Sequence, residues 1–239
     1  MTFRLDDNNT KCLIHFGGAD ATTTFIDESG KVWTATGNAQ IDTAQYKFGG
    51  SAGLFDGTGD SITSPDSPDW RLSDGVDANK WTLDLWLRWA VEPGTAIVGI
   101  IQQKQADTDF WVLRYYNNSM DYIIRVSNIN QAVANAGVGA FNPAANTWYH
   151  IAVVKNGTAG YGFFVNGTLT SAGFVANTYS EPDYAGGIRI ADFEYPAATH
   201  YYFNGWMDEV RISKGIARWT PNFTPPARQY MPLQPVQII

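Results

Sequence analysis

Residues 81–89 read WTLDLWLRW, with Trp81, Leu83, Leu85, Leu87 and Trp89 on one side of an extended chain and Thr82, Asp84, Trp86 and Arg88 on the other. Side chains alternate faces along a strand, so this pattern specifies a strand with one apolar face turned to a core. Downstream, residues 110–116 (FWVLRYY) and 121–127 (DYIIRVS) read as two strands joined through Asn117, Asn118, Ser119 and Met120. Residues 148–155 and 161–165 read as strands that each run into an Asn-Gly pair, Asn156-Gly157 and Asn166-Gly167, a dipeptide that accepts the positive φ of tight hairpins. Strands over 187–192, 201–204 and 206–213 follow, and the strand and turn pattern extends back to Lys11. Many short strands without a long helix leave a closed barrel or a two-sheet antiparallel jelly-roll sandwich. Several strands are apolar on both faces, which suits the sandwich, so the expected class is all-β.

Composition supports that reading and excludes several functions. The 239 residues include nine Trp, twelve Tyr and thirteen Phe beside 23 Gly and 11 Pro, a mixture that favours short strands and turns. With 16 Lys plus Arg against 23 Asp plus Glu the net charge is −7, and no basic cluster offers a nucleic-acid surface. No stretch is long and apolar enough for a membrane span, and the polar start gives no signal peptide, so an extracellular or virion-surface protein would leave the cell by another route. Cys12 stands alone, which excludes an internal disulfide or a cysteine zinc site. No fixed-period repeat suggests a propeller or solenoid. The expected organisation is a polar arm over 1–11, one sandwich over 12–226 and a Pro-rich, apolar tail over 227–239.

Several segments resemble the laminin-G-like branch of the concanavalin A-like lectin/glucanase superfamily, in matching order. They are CLIHFGG (12–18), KFGGSA with LFDGTGD (47–52 and 54–60), WTLDLWLRW, NTWYHIAVVKNG (146–157) and FFVNGTL (163–169). The most specific is FNGWMDEVRISKGIARWTPNFTPP, 203–226, which is similar to the family's closing strand and exit loop. The resemblance implies two packed antiparallel sheets and a glycan-binding, protein-binding or hydrolytic role, and modules with this ending resemble those of phage virion and bacterial surface proteins. Relatives often hold a structural calcium with the acid of the closing strand, which implies Asp208 with the Gly49 or Gly50 carbonyl. Gly17 stands where many relatives have Asp, and Asp27 is the candidate replacement. The alternative for Asp208 is that it bonds backbone amides.

Glycoside hydrolysis needs two facing carboxylates, roughly 5–9.5 Å apart. The family's glucanases carry them as E-x-D-x-x-E, and none of Glu28, Glu92, Glu181, Glu194 or Glu209 opens such a motif. Asp84 shares its face with Arg88, which reads as a structural ion pair rather than an acid catalyst. His15, His150 and His200 are isolated, so no transition-metal site is expected, and His150 reads as a hydrogen-bonded core residue. Sugar recognition uses stacking rings and a few polar groups. The candidates are Trp70, Trp111, Tyr115, Tyr184 and Tyr195, with Arg114 as donor; each ring has core packing as its alternative. The segment 179–202, where rings alternate with carboxylates in expected loops, is the strongest candidate region.

The expectation is therefore a non-catalytic surface-recognition module for glycans or cell-surface polysaccharide, set on a phage virion or tail. Its first rival is a structural virion protein making only protein contacts, with homo-oligomers and other virion proteins as partners; its second is a hydrolase with a displaced acid pair. Rings lining an open groove would favour recognition, and rings buried between subunits the structural role.

Overall fold

The computed structural model describes residues 8–76, 78–135, 141–170, 173–176 and 179–231. The start of the polar arm and the end of the apolar tail lie outside the described residues. In chain order the strands are β1 (Thr10–Ile14), β2 (Thr34–Thr36), β3 (Gln40–Asp42), β4 (Ala52–Asp56), β5 (Ser61–Ser64), β6 (Lys80–Trp89), β7 (Ile97–Ala106), β8 (Asp109–Tyr116) and β9 (Ser119–Val126). They continue with β10 (Ile129–Asn135), β11 (Trp148–Asn156), β12 (Tyr161–Val165), β13 (Thr168–Leu169), β14 (Ile188–Ile190), β15 (Asp192–Glu194), β16 (His200–Tyr202) and β17 (Asn204–Lys214). The only helical turns among the described residues are 3-10 turns at Pro68–Trp70 and Gly157–Ala159.

Two antiparallel sheets pack face to face. One has eight strands, ordered β13-β12-β11-β6-β17-β4-β3 with β1 also on β17; the other has seven, ordered β10-β9-β8-β7-β14-β5-β2. β1 and β4 share one edge of β17 because β17 bulges between Asp208 and Arg211, where Glu209 takes φ 53. The alternation read from WTLDLWLRW holds: Trp81, Leu83, Leu85, Leu87 and Trp89 are all buried in the inter-sheet core with Ile151, Val153, Val210 and Ile212. Asn117-Asn118 and Asn166-Gly167 make the expected tight turns with positive φ, whereas Asn156-Gly157 leads into a 3-10 turn.

Each sheet also has an outer covering. Across the eight-stranded sheet runs the C-terminal segment, whose Ala217, Trp219 and Phe223 pack on Ala152, Val154 and Phe164. Across the seven-stranded sheet lies the β15-β16 hairpin, whose Phe193, Tyr195 and Tyr201 pack on Phe110, Val112 and Ile123. The hairpin comes down onto β7 at Gly99, where an added Cβ would fall 2.1 Å from the Phe193 nitrogen. Only glycine allows two backbones so close.

Candidate functional site

The described outer surface of the seven-stranded sheet is the better candidate, since it is only half covered. Ile188 and Ile190 of β14 face the core and Arg189 faces out, as do Thr63 opposite it on β5, Thr34 beyond on β2, and Gln102 opposite it on β7. With Ser64, Lys104 and Glu194 these residues line a groove of about 430 Å³ beside the hairpin, within the usual range for small-ligand sites.

The groove is held by a hydrogen-bonded frame. Gln102 Nε2 donates to the Glu194 carbonyl at 3.3 Å, and Glu194 N donates to Gln102 Oε1 at 3.1 Å. Arg189 donates to Asp192 Oδ2 and Glu194 Oε2, both at 3.0 Å. Lys104 Nζ lies 2.7 Å from Asp107 Oδ1 and 3.2 Å from Glu194 Oε1, and His200 Nδ1 lies 2.7 Å from Asp192 Oδ2. Partial burial works against the Glu194 charge, but Lys104 and Arg189 outweigh it and lower its pKa. The groove's cations are thus answered by carboxylates of the same frame. Such a surface favours a neutral ligand whose hydroxyls share these donors and acceptors over a charged one.

Beyond the hairpin the same face carries rings and guanidiniums. Tyr195 is partly exposed and stacks on Phe193 at 5.9 Å between centroids, with the Arg125 guanidinium 4.8 Å from its ring. Arg114 makes a two-pronged pair with Asp121 at 2.8 and 3.1 Å and lies 4.7 Å from the half-exposed Tyr116 ring. Of the residues singled out from sequence, Tyr195 and Arg114 therefore share this outer face.

The other four rings are in the core, which corrects their assignment to an open site. Trp111 is buried with Nε1 donating to Gln103 Oε1 at 2.9 Å, and Tyr115 is buried with its hydroxyl on the Gly94 carbonyl at 2.7 Å. Tyr184 donates to the Arg125 carbonyl at 2.8 Å, and Trp70 Nε1 donates to the Pro65 carbonyl at 2.9 Å. Their polar tips are satisfied and their faces are packed, as buried aromatics require. They lie inside one chain rather than in a groove or between subunits, so they decide neither way between recognition and assembly. What the sequence reading missed was the polar row Thr34, Thr63, Gln102, Lys104 and Arg189. Its signal was the alternation in IRI of β14; QQK of β7 is polar at all three positions and does not show that Gln103 turns inward to Trp111.

Asp84 pairs with a different arginine from the one its strand suggests. Arg88 faces the Trp206 ring at 4.6 Å, while Arg211 of β17, in register with Asp84, binds it at 2.9 and 3.2 Å. The Tyr230 hydroxyl also donates to Asp84. Burial opposes its ionisation, but Arg211 and His150 hold the carboxyl well below the usual carboxylate range. His150 is fully buried, as expected of a core residue, but its Nε2 sits 3.4 Å from Asp84 Oδ2 without a hydrogen bond of good geometry among the described residues.

The donors suggested for calcium fit unevenly. Asp27 Oδ1 accepts from Leu13 N, Ser29 N and Ser29 Oγ at 3.1, 2.7 and 2.7 Å, and Oδ2 accepts from Trp33 Nε1 at 3.1 Å, so it is already engaged in holding its own turn and β1, which suits a structural role better than a cation ligand. Asp208 Oδ2 accepts from Lys47 N and Phe48 N, each at 2.9 Å, while its buried Oδ1 has no partner among the described residues. Gly50 lies two residues further along that loop. Burial is the main reason the Asp208 pKa rises to about 8, helped by Glu209 and opposed by the two amides. Among the described residues no group of three or more His, Cys, Asp or Glu is arranged to hold a metal, and calcium takes roughly 6–8 oxygens.

The two-sheet fold agrees with what the chain is similar to. It belongs to the Concanavalin A-like lectin/glucanases superfamily, a family model of which matches residues 56–218. Among solved structures it is similar to domain 4 of AbnA, an extracellular arabinanase from Geobacillus stearothermophilus, solved with arabinotriose. That likeness has TM-score 0.61 and 14% identity, over 88% of this chain and 95% of that one. It is also similar to the binding domain of botulinum neurotoxin DC, solved with rat synaptotagmin II (TM-score 0.60, 12% identity, 90% of this chain and 49% of that chain). The same domain in complex with SialylT gives TM-score 0.57 at 12% identity, covering 90% of this chain and 49% of that chain. The chain thus spans about half the length of the receptor-binding chains it matches, 48% in one. None of the curated proteins matches it.

Proposed function

We propose that this chain is a non-catalytic carbohydrate-binding module that takes a neutral glycan on the outer face of the seven-stranded sheet. The observation that carries the reading is the groove beside the β15-β16 hairpin, a polar frame with internally paired charges, next to the partly exposed Tyr195 ring. Support comes from the fold shared with a domain solved with arabinotriose. Asp84, on which a hydrolase would lean, is buried and tied to Arg211 and Tyr230, an arrangement that keeps it ionised and out of reach. A virion or extracellular setting, with cell-surface polysaccharide and other virion proteins as partners, is part of the proposal and rests on the resemblance of the closing segment 203–226. Calcium enters the proposal only through Asp208 and Gly50.

The test is binding of the purified chain to a panel of neutral polysaccharides and bacterial-surface glycans, with calcium and again with chelator. Saturable binding that drops roughly tenfold or more in Tyr195→Ala or Lys104→Ala is expected, since one lost stack or charged hydrogen bond is worth about that much. Dependence on calcium would bring Asp208 into the account. Silence from folded protein in both conditions would overturn the reading in favour of an assembly role.

A further inference from the structure

On the outer face of the eight-stranded sheet the rings of the C-terminal segment reach as far as His150, where Trp219 and Phe223 pack on the imidazole. His150 stands in register with Trp86. The next outward row runs Trp148, Arg88, Trp206, Leu54 and Gln40, one residue each from β11, β6, β17, β4 and β3, each in direct register with the next. Leu87, Trp89, Met207, Phe55 and Ile41, which flank these residues in sequence, are buried in the inter-sheet core, so strand alternation turns the row outward. All five members of the row are partly exposed.

The cations of this row are used differently from those of the groove, where Lys104 and Arg189 both bind Glu194. Among the described residues Arg88 makes no hydrogen bond or ion pair; its Nη1 is buried without an acceptor, and its guanidinium lies 4.6 Å from the Trp206 ring. Asp42 is near enough to act on the Arg88 charge, but its Oδ2 accepts from Trp206 Nε1 instead. Beside this pair Lys47 Nζ lies 4.0 Å over the Trp86 ring, again without an ion pair among the described residues. Partial burial lowers the pKa of both cations, outweighing Asp42 at one and Asp208 at the other. Trp148 is partly exposed and has no ring, cation or indole hydrogen-bond contact among the described residues. A cation on an apolar floor without a bound carboxylate attracts an anion more strongly than one in open water. Trp148 and Trp206 stand on either side of Arg88, two strand spacings or about 10 Å apart, and the whole row spans about 20 Å. Such a strip suits an extended chain of rings whose acid groups recur along its length.

We propose that this strip is a second binding surface, for an acidic polysaccharide that lies across the strands with a carboxylate on Arg88 and a sugar ring against Trp148. That the ligand is a polysaccharide rests on the carbohydrate reading above; the unpaired cations and the open ring do not.

The experiment is calorimetric titration of the full chain with hexagalacturonate, digalacturonate and the fully methyl-esterified, neutral hexamer, using wild type, Arg88→Gln, Trp148→Ala and Tyr195→Ala. Arg88→Gln and Trp148→Ala change different, partly exposed side chains, so if one fails to fold the other still carries the test. Hexagalacturonate is expected to bind tighter than the dimer and roughly tenfold tighter than the ester, and to weaken roughly tenfold in Arg88→Gln, the worth of one charge-assisted hydrogen bond. Trp148→Ala should weaken it severalfold, the worth of one stacked ring. Binding should fall with added salt and be unchanged in Tyr195→Ala. No binding of the hexamer, equal binding of the dimer or the ester, or full retention in both strip variants would overturn the site. Hexaglutamate binding as tightly as the uronate would reassign the strip to a protein partner and overturn it too. Uronate binding through Arg88 with a silent neutral panel would keep this site and remove the groove; the reverse would remove this site alone.

Discussion

The two outer faces of the sandwich both carry ion pairs, and they treat them in opposite ways. On the eight-stranded sheet the Asp84-Arg211 pair lies under the C-terminal segment, with Asp84 fully buried and its carboxylate bound by Arg211 and Tyr230. On the seven-stranded sheet Glu194 and Arg189 keep 24% and 28% of their side-chain surfaces exposed. The same chemical pairing is therefore part of the interior in one place and a wet, adjustable surface in the other. A buried charge that loses its partner has no water to turn to, whereas an exposed one does. The first face fixes the fold, and the second is free to exchange its hydrogen bonds with a ligand.

The largest effect should come from breaking the buried side of that contrast. Asp84→Ala removes the buried carboxylate that binds Arg211 and accepts from the Tyr230 hydroxyl, and is expected to cost about 3–5 kcal/mol, read from the midpoint and slope of a urea unfolding curve. Because the native pKa of Asp84 is lowered, its stabilisation is present above the unfolded value near ~4 and is lost as pH falls toward the native one. An Asp84→Ala protein as stable as wild type would mean that this face is not closed by the C-terminal segment.

Why the sequence revealed one part of this and not the other is a matter of range. The alternation in WTLDLWLRW correctly separates Leu83 and Leu85 from Asp84 and Trp86, since a strand's period is local. It could not supply the partner of Asp84, because Arg88 is near in sequence while Arg211 is brought near only by the β6-β17 register. Trp111 and Tyr115 were misassigned for a related reason. β8 is apolar on both faces, with Phe110 and Val112 on one and Trp111 and Leu113 on the other, and periodicity cannot say which is inside when both are covered. The outer cover is the β15-β16 hairpin, whose short strands carry too little pattern to be read. Tyr195 and Arg114 were found because they belong to the less fully covered layer.

A middle-sized effect tests how strictly burial governs the eight-stranded side. Asp208 takes up its proton at about 8 in the native chain and near ~4 when unfolded. Between those values the native state binds more protons than the unfolded state, so this group makes stability fall as pH rises from ~4 to ~8. Asp208→Asn keeps an acceptor for the Lys47 and Phe48 amides and removes the titration. Its melting temperature relative to wild type should therefore climb steadily from pH 5 to pH 8 in the presence of chelator. A constant difference across that range would show that Asp208 is ionised throughout. With calcium added, a wild-type gain in melting temperature that Asp208→Asn lacks would assign the free Oδ1 to the ion.

The smallest effect on stability belongs to the open face, and there it carries the most information about function. Glu194→Gln keeps the size of the side chain and its backbone bonds with Gln102, but removes the charge shared by Lys104 and Arg189. The stability change is expected to be about 1 kcal/mol or less, as for other partly exposed pairs. Two cations left in the groove without that carboxylate should change what the groove prefers. Neutral glycans are expected to bind somewhat more weakly, and acidic ones to gain affinity in a salt-dependent way. An acidic ligand gained at Glu194→Gln is expected to occupy the groove, since that is where the carboxylate was removed. If Glu194→Gln instead destabilised the chain as severely as Asp84→Ala, the seven-stranded face would be as closed as the other, and its polar row would be part of the structure rather than a surface kept open for a ligand.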